Sequence, residues 1–251
     1  MRFPDITLQG KHGETLTDIK ADWNALVEFV DGISRELEEG DLEWFKSRST
    51  VSLACLIDRL LLLISGSALS LGANNLPSAF ASTRSAMEVT AHIVYLLHIL
   101  ELDITLPKRI EMVNNAFLQR RDGDRPKSKT VTKDVGIMAV IDVADEFLKK
   151  TVNALGWDKD LARFRVEYET LCNFDHPNFD SHLSVGSFKE IDGKVRWYPY
   201  TKGEITNAMA PHIFLPIILT LGVARITSSR VLHSLGHLQE KQESVSGHKT
   251  F

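Results

Sequence analysis

Three stretches of this chain are nearly free of charge, and they limit what it can fold into more than any other feature. Between Val51 and Ala73 only Asp58 and Arg59 are charged, and between Leu76 and Leu100 only Arg84 and Glu88 are; between Ile205 and Ala224 there is no charge. A helix that is apolar nearly all round has no face suited to water, so all three belong inside a bundle. The four charges within them then sit where charge is unfavourable. Each needs a partner or a watery cavity, because an unpaired buried charge carries a large penalty.

The remaining segments read as helices packed around those three. Thr17 to Glu39 sets Ile19, Trp23, Leu26, Val30 and Ile33 at three- and four-residue spacing, which predicts an amphipathic surface helix closed by Gly40. Asp41 offers an N-cap for a helix through Leu71, and Asn74 or Asn75 with Pro77 opens the next, to about Asp103. Pro107 starts a shorter helix to about Gln119. Further helices are predicted near 134–155 and 158–172. Two short alternating runs flank Asp192-Gly193, a strong two-residue hairpin turn, so 187–200 is predicted as a β-hairpin. Thr201 and Glu204 fit a capping box for the last long helix, which Pro211 and Pro216 should kink or split. The expectation is an all-α bundle of about six to eight helices with one small β-hairpin insertion. It forms a single helical domain over 1–238, followed by a flexible C-terminal tail over 239–251.

Composition excludes several classes. The net charge of −4 argues against a chain generally coated by nucleic acid or lying on a membrane. Two cysteines, Cys55 and Cys172, are too few for a disulfide framework and read as small hydrophobes. The N-terminal residues lack the apolar core of a secretory signal, so a cytoplasmic location is expected. Ala208 to Ala224 contains His212 and two prolines and falls short of the roughly 18–20 apolar residues of a span, so no membrane association is expected. There is no G-x-S-x-G elbow and no phosphate-binding glycine loop, which removes the nucleotide enzymes tied to those motifs.

Two segments hold the residues on which chemistry could rest. In STRSAMEVTAHIVYLL, residues 82–97, Arg84, Glu88 and His92 fall four apart and share one helical stripe, which Tyr95 extends. One reading is a structural clasp in which Arg84 pairs with Glu88 and Asp58. The other is a pocket lined by the stripe. In YETLCNFDHPNFDSHLS, residues 168–184, Tyr168 and Cys172 share a stripe that His176 would extend, and His176-Pro177 stops the helix. Asp175, Asp180 and His182 follow in an irregular loop.

The Arg84-Ser85-x-x-Glu88 helix, then Tyr168-x-x-Leu171 leading to His176-Pro177, then a hairpin, resembles a group of bacterial all-helical proteins that are compared with the HEPN superfamily. That superfamily includes ribonucleases of toxin and phage-defence systems. The resemblance covers about residues 60–200 and implies a HEPN-like, defence-related role, with Arg84, Glu88, Tyr168 and His176 as the positions to watch. The Arg-to-His motif of active HEPN ribonucleases has one match, Arg230 to His237, and there Val231 follows the arginine where a polar residue is usual.

Two functions are therefore expected in competition. In the first, Arg84, Glu88 and His176 act on, and Tyr168, His182 and His92 bind, a small anionic ligand or RNA. Arg84 would supply a fork of donors and His176 a group that titrates near neutrality. The loop 119–133 carries six basic and two acidic residues, and Arg120, Arg121, Arg125 and Lys127 are its candidate phosphate contacts. In the second, the chain is a non-catalytic interaction protein forming a homo-oligomer through Trp23, Phe29, Trp44 and Phe45. No cofactor is expected. No metal site is expected either, although Glu88, His92, His176, His182 and His212 are of ligating type. The di-metal signature of helical bundles sets Glu and His three apart, and here they are four apart.

Overall fold

A computed structural model describes residues 1–4, 12–73, 75–117, 136–156, 158, 163–175, 186–199 and 209–246. Among them are seven helices and one hairpin: α1 His12–Asp31, α2 Asp41–Gly72, α3 Leu76–Glu101, α4 Leu106–Phe117, α5 Ile137–Leu155, α6 Phe164–Asp175, β1 Gly186–Ile191, β2 Lys194–Pro199 and α7 Pro211–Ser246. The protein is an all-α bundle with a small two-stranded antiparallel insertion.

The centre is α3, which packs on α2, α7, α5, α6 and α4. Its 16 buried residues include Phe80, Met87, Ile93 and Leu97, as expected of a helix with three charges in 26 residues, one of them at its last position. Asn75 caps its start by accepting from the Ser78 N–H at 3.3 Å, with Pro77 in the first turn. Its end is closed from α4. Buried Arg109 donates to the Ile99 and Leu102 carbonyls at 3.2 and 2.6 Å, satisfying groups that a helix end leaves without partners. Small residues let α2 and α3 approach closely: Ser67 Oγ lies 2.7 Å from Thr83 Oγ1 and also bonds the Ala79 carbonyl.

Four local expectations differ from what is found. The first helix ends at Asp31, at Gly32, where glycine weakens a helix by about 1 kcal/mol relative to alanine. Residues 32–40 then form a strap, with Ile33 buried, Arg35 paired with Asp58 at 2.8 Å and the Glu38 N–H bonded to Ser47 Oγ at 3.0 Å. Gly40, not Asp41, is the N-cap of α2, at φ 92°, a conformation that glycine takes without steric cost. Helix α2 is not buried all round: Arg59 and Cys55 are exposed, and Leu62 and Leu69 keep 59% and 56% of their surface in solvent. Finally, the described part of the last helix starts at Pro211, where a proline's missing N–H costs nothing, and Pro216 lies inside it. The capping-box residues 201 and 204 are outside the described residues.

The hairpin forms with Phe188 opposite Trp197 and Ile191 opposite Lys194. Asp192 and Gly193 at φ 53° and 69° make the turn whose twist matches the strands. Of the expected tail over 239–251, the backbone is helical to Ser246, and 247–251 are outside the described residues.

Two helices, Asp41–Gly72 and Pro211–Leu238, are long and apolar enough to cross a membrane by length and composition. The most apolar windows of the two are 44% and 61% buried by protein. Core helices pass the same test, so this is weak evidence of a span.

Candidate functional site

The carboxylates in the first half of α5 position α6, and α6 in turn completes the stripe on α3. Asp145, buried on α5, accepts from the Arg165 backbone N–H at 3.0 Å and so satisfies an open donor in the first turn of α6. Asp142 holds the Arg165 guanidinium at 2.5 Å. Asp145 also pairs with Lys149 at 2.7 Å, and this hydrogen bond raises the Lys149 pKa. So fixed, α6 lies antiparallel on α3: Tyr168 meets Glu88, and six residues later Phe174 stacks on Phe80 with ring centres 4.5 Å apart.

Glu88 is the hub. Its Oε1 accepts from the Tyr168 hydroxyl at 2.9 Å and lies 3.4 Å from Arg84 Nε. Tyr168 is 5% exposed, whereas the Arg84 and Glu88 side chains keep 25% and 28% of their surface in solvent. The tyrosine is therefore enclosed, while the arginine and the glutamate both reach solvent in part. Burial, then the Glu88 charge, pushes the Tyr168 pKa well above that of an ordinary phenol, since both oppose a phenolate. Tyr168 is thus a fixed donor and not a base near neutrality.

The rest of the stripe turns elsewhere. The carbonyl of Glu88 lies 2.7 Å from His92 Nδ1, so that nitrogen carries the hydrogen, and the His92 ring meets Phe117 at the end of α4 at 6.1 Å. Tyr95 neighbours His98, and burial raises its pKa. The expected pairing of Arg84 with Asp58 is replaced: Asp58 bonds Arg35. Arg84, Glu88 and Tyr168 are thus brought together, with His92 one turn away. His212 reaches the same end of α6, with its ring 5.7 Å from Phe174, a neighbour that sequence spacing gave no sign of.

His176 and His182 are outside the described residues, as are Arg120, Arg121, Arg125 and Lys127. What is described of this segment ends at Asp175, the residue before His176 and next to Phe174, which stacks on Phe80 one helical turn of α3 from Arg84. Among the described residues no group of three or more His, Cys, Asp or Glu is arranged to hold a metal ion. Arg230, of the Arg-to-His match, is held by Glu101 at 2.5 Å and over the Phe147 ring at 5.4 Å, while His237 faces His233.

The aromatics assigned to a partner surface are mostly core. Trp23 and Phe45 are fully buried, and Phe29 and Trp44 are half-buried against the same cluster. No family model matches this chain, and no match to it was found among the curated proteins or the solved structures.

Proposed function

We propose that the chain is a helical module that binds a phosphate-bearing ligand, an RNA segment or a small anion, at Arg84, in the way the HEPN resemblance implies. The observation that supports it is the asymmetry of the Arg84–Glu88–Tyr168 cluster. Glu88 is anchored by a buried tyrosine, so it can hold Arg84 in a fixed rotamer, and the Arg84 side chain keeps 25% of its surface in solvent. A pre-positioned guanidinium is the group best suited to a planar or tetrahedral oxyanion. The α6 helix runs from this cluster to within two residues of His176, the histidine proposed as the proton-transferring group.

The test is binding of a fluorescent single-stranded RNA and, separately, of pyrophosphate to the native chain and to Arg84→Ala and Arg84→Lys. Loss with alanine and partial retention with lysine, at unchanged far-UV circular dichroism, is expected. Equal binding by Arg84→Ala removes the proposal.

A second reading, a non-catalytic homo-oligomer, is favoured by one observation of its own. The outer face of α2 exposes Cys55, Leu62 and Leu69, with Arg59 and the partly exposed Asp58 and Ser65 among them. Large apolar side chains exposed along one helix are a surface that association would cover.

A further inference from the structure

A cleft of about 790 Å³ opens between α3, α5 and α7, and none of Arg84, Glu88 and Tyr168 lines it. Its volume lies within the roughly 300–1,000 Å³ typical of small-molecule sites. The floor is apolar: Val94 and Leu97 from α3, Val143 and Phe147 from α5, and Ile226 from α7. The rim is charged, and the state of each charge indicates what the cleft would accept.

Three carboxylates stand at the rim, and each already has a cation. Glu101 holds Arg230 at 2.5 Å, Asp142 shares Arg165 with Glu169, and Glu146 lies 3.4 Å from Lys149, which it shares with Asp145. Lys150 also lines the cleft, and it has no acidic partner among the described residues. His98 lines the rim beside it as a further exposed donor. Arg230 is fixed by Glu101 and by the Phe147 ring, at 5.4 Å, which keeps a planar cation over the apolar floor. Each rim acid is therefore tied to a cation, wholly or shared, while Lys150 stands outside these pairs above an apolar floor.

We infer that this cleft binds a small anionic amphiphile, an apolar chain or ring carrying one carboxylate or phosphate head. The apolar body fills the space over Val94, Leu97, Val143 and Phe147, and the head meets Lys150 and the N–H groups that Arg230 does not give to Glu101. A cationic head would find no unpaired carboxylate at the rim, and a neutral head would leave the Lys150 charge unused. The inference does not depend on the Arg84 cluster, which lies on the α3–α6 seam.

Calorimetric titration of the full chain with decanoate, decyl phosphate, decan-1-ol and decyltrimethylammonium, each below its micelle concentration, tests it. One or both anionic probes should bind saturably at one per chain, about tenfold or more tighter than the alcohol, as a charge-assisted hydrogen bond would give. Whichever anion binds better identifies the head group. Lys150→Glu, an exposed substitution that spares the core, should weaken the anion about tenfold and leave the alcohol unchanged. Ala154→Trp, at the exposed end of the cleft, should block both. Equal or tighter binding of the cationic probe, no saturable binding of either anion, or anion affinity unchanged in Lys150→Glu would overturn the inference.

Discussion

The Tyr168–Glu88 hydrogen bond joins α6 to the charged stripe of α3, and its strength can be isolated. Replacing Tyr168 with Phe removes the hydroxyl and leaves the ring, so the 5% exposed side chain still fills its site. A hydrogen bond to a charged acceptor contributes about 1.5–3 kcal/mol. Glu88 keeps 28% of its side chain in solvent, so water replaces part of the lost donor and the expected cost falls to about 1–2 kcal/mol. Tyr168→Phe alone mixes this with small packing changes, and Glu88→Gln alone also disturbs Arg84. In the double-mutant cycle the Arg84 contribution appears on both sides and cancels, leaving the pairwise energy. Urea unfolding followed by far-UV circular dichroism at neutral pH gives the four stabilities, provided the slope with urea stays constant. A coupling of about 1 kcal/mol is expected. A coupling below about 0.3 kcal/mol would mean that the hydroxyl is not spent on Glu88, and the account of Glu88 as an anchored hub would fail.

Three further outcomes follow from the same geometry. Tyr168 and Tyr95 both have pKa values raised in the folded state, so the stability each contributes is complete below pH about 10 and is lost as pH rises through the folded value. Phenolate absorbance during alkaline titration should show late-ionising tyrosine, and Tyr168→Phe should remove part of it; a titration with no late component would refute the burial argument. Asp145→Ala removes the acceptor for the Arg165 N–H and should cost about 1–2 kcal/mol in urea unfolding, with no change expected if that contact does not hold α6. Leu62→Glu with Leu69→Glu should leave the fold's stability within about 0.5 kcal/mol, because both side chains face solvent, while native mass spectrometry shows a shift to monomer if a second copy covers α2.

The architecture was legible because it follows from charge exclusion. A segment such as 76–100, with two charges in 25 residues, can satisfy neither water nor a membrane surface on any face, so it becomes the centre of the bundle. The hairpin was equally readable, since Asp192-Gly193 supplies the two positive φ values that a tight hairpin needs. What could not be read was which face of a long helix meets which neighbour. The α2 sequence looks uniformly apolar, yet its Leu62–Leu69 face is solvated, because the elements that would have to cover it pack on the opposite side. Arg109 as the cap of α3, and Asp145 as the acceptor at the start of α6, are contacts between different helices, and no local pattern in either sequence records the partner. The cleft was invisible for the same reason: its lining comes from three helices and only their packing assembles it.

The clasp and the site, posed as alternatives from the sequence, are compatible once the geometry is known. A clasp that spent all its members on one another would be sealed, as Ser67 and Thr83 are at the α2–α3 contact, where both residues are fully buried. Glu88 instead takes one partner from the buried side, Tyr168, while the Glu88 and Arg84 side chains both keep part of their surface in solvent. An isolated surface arginine loses rotamer freedom when it binds an anion, and that entropic cost weakens binding. Pairing with a carboxylate that is itself fixed by a buried tyrosine removes part of the cost before a ligand arrives. It also lowers the net positive field, which a weakly bound anion would feel as reduced attraction. The balance between these two effects is open to measurement. If Glu88→Gln tightens RNA or pyrophosphate binding, Glu88 acts as a competitor for Arg84 and the cluster is chiefly structural. If it weakens binding while Tyr168 stays in place, Glu88 is the residue that aims Arg84 at its ligand.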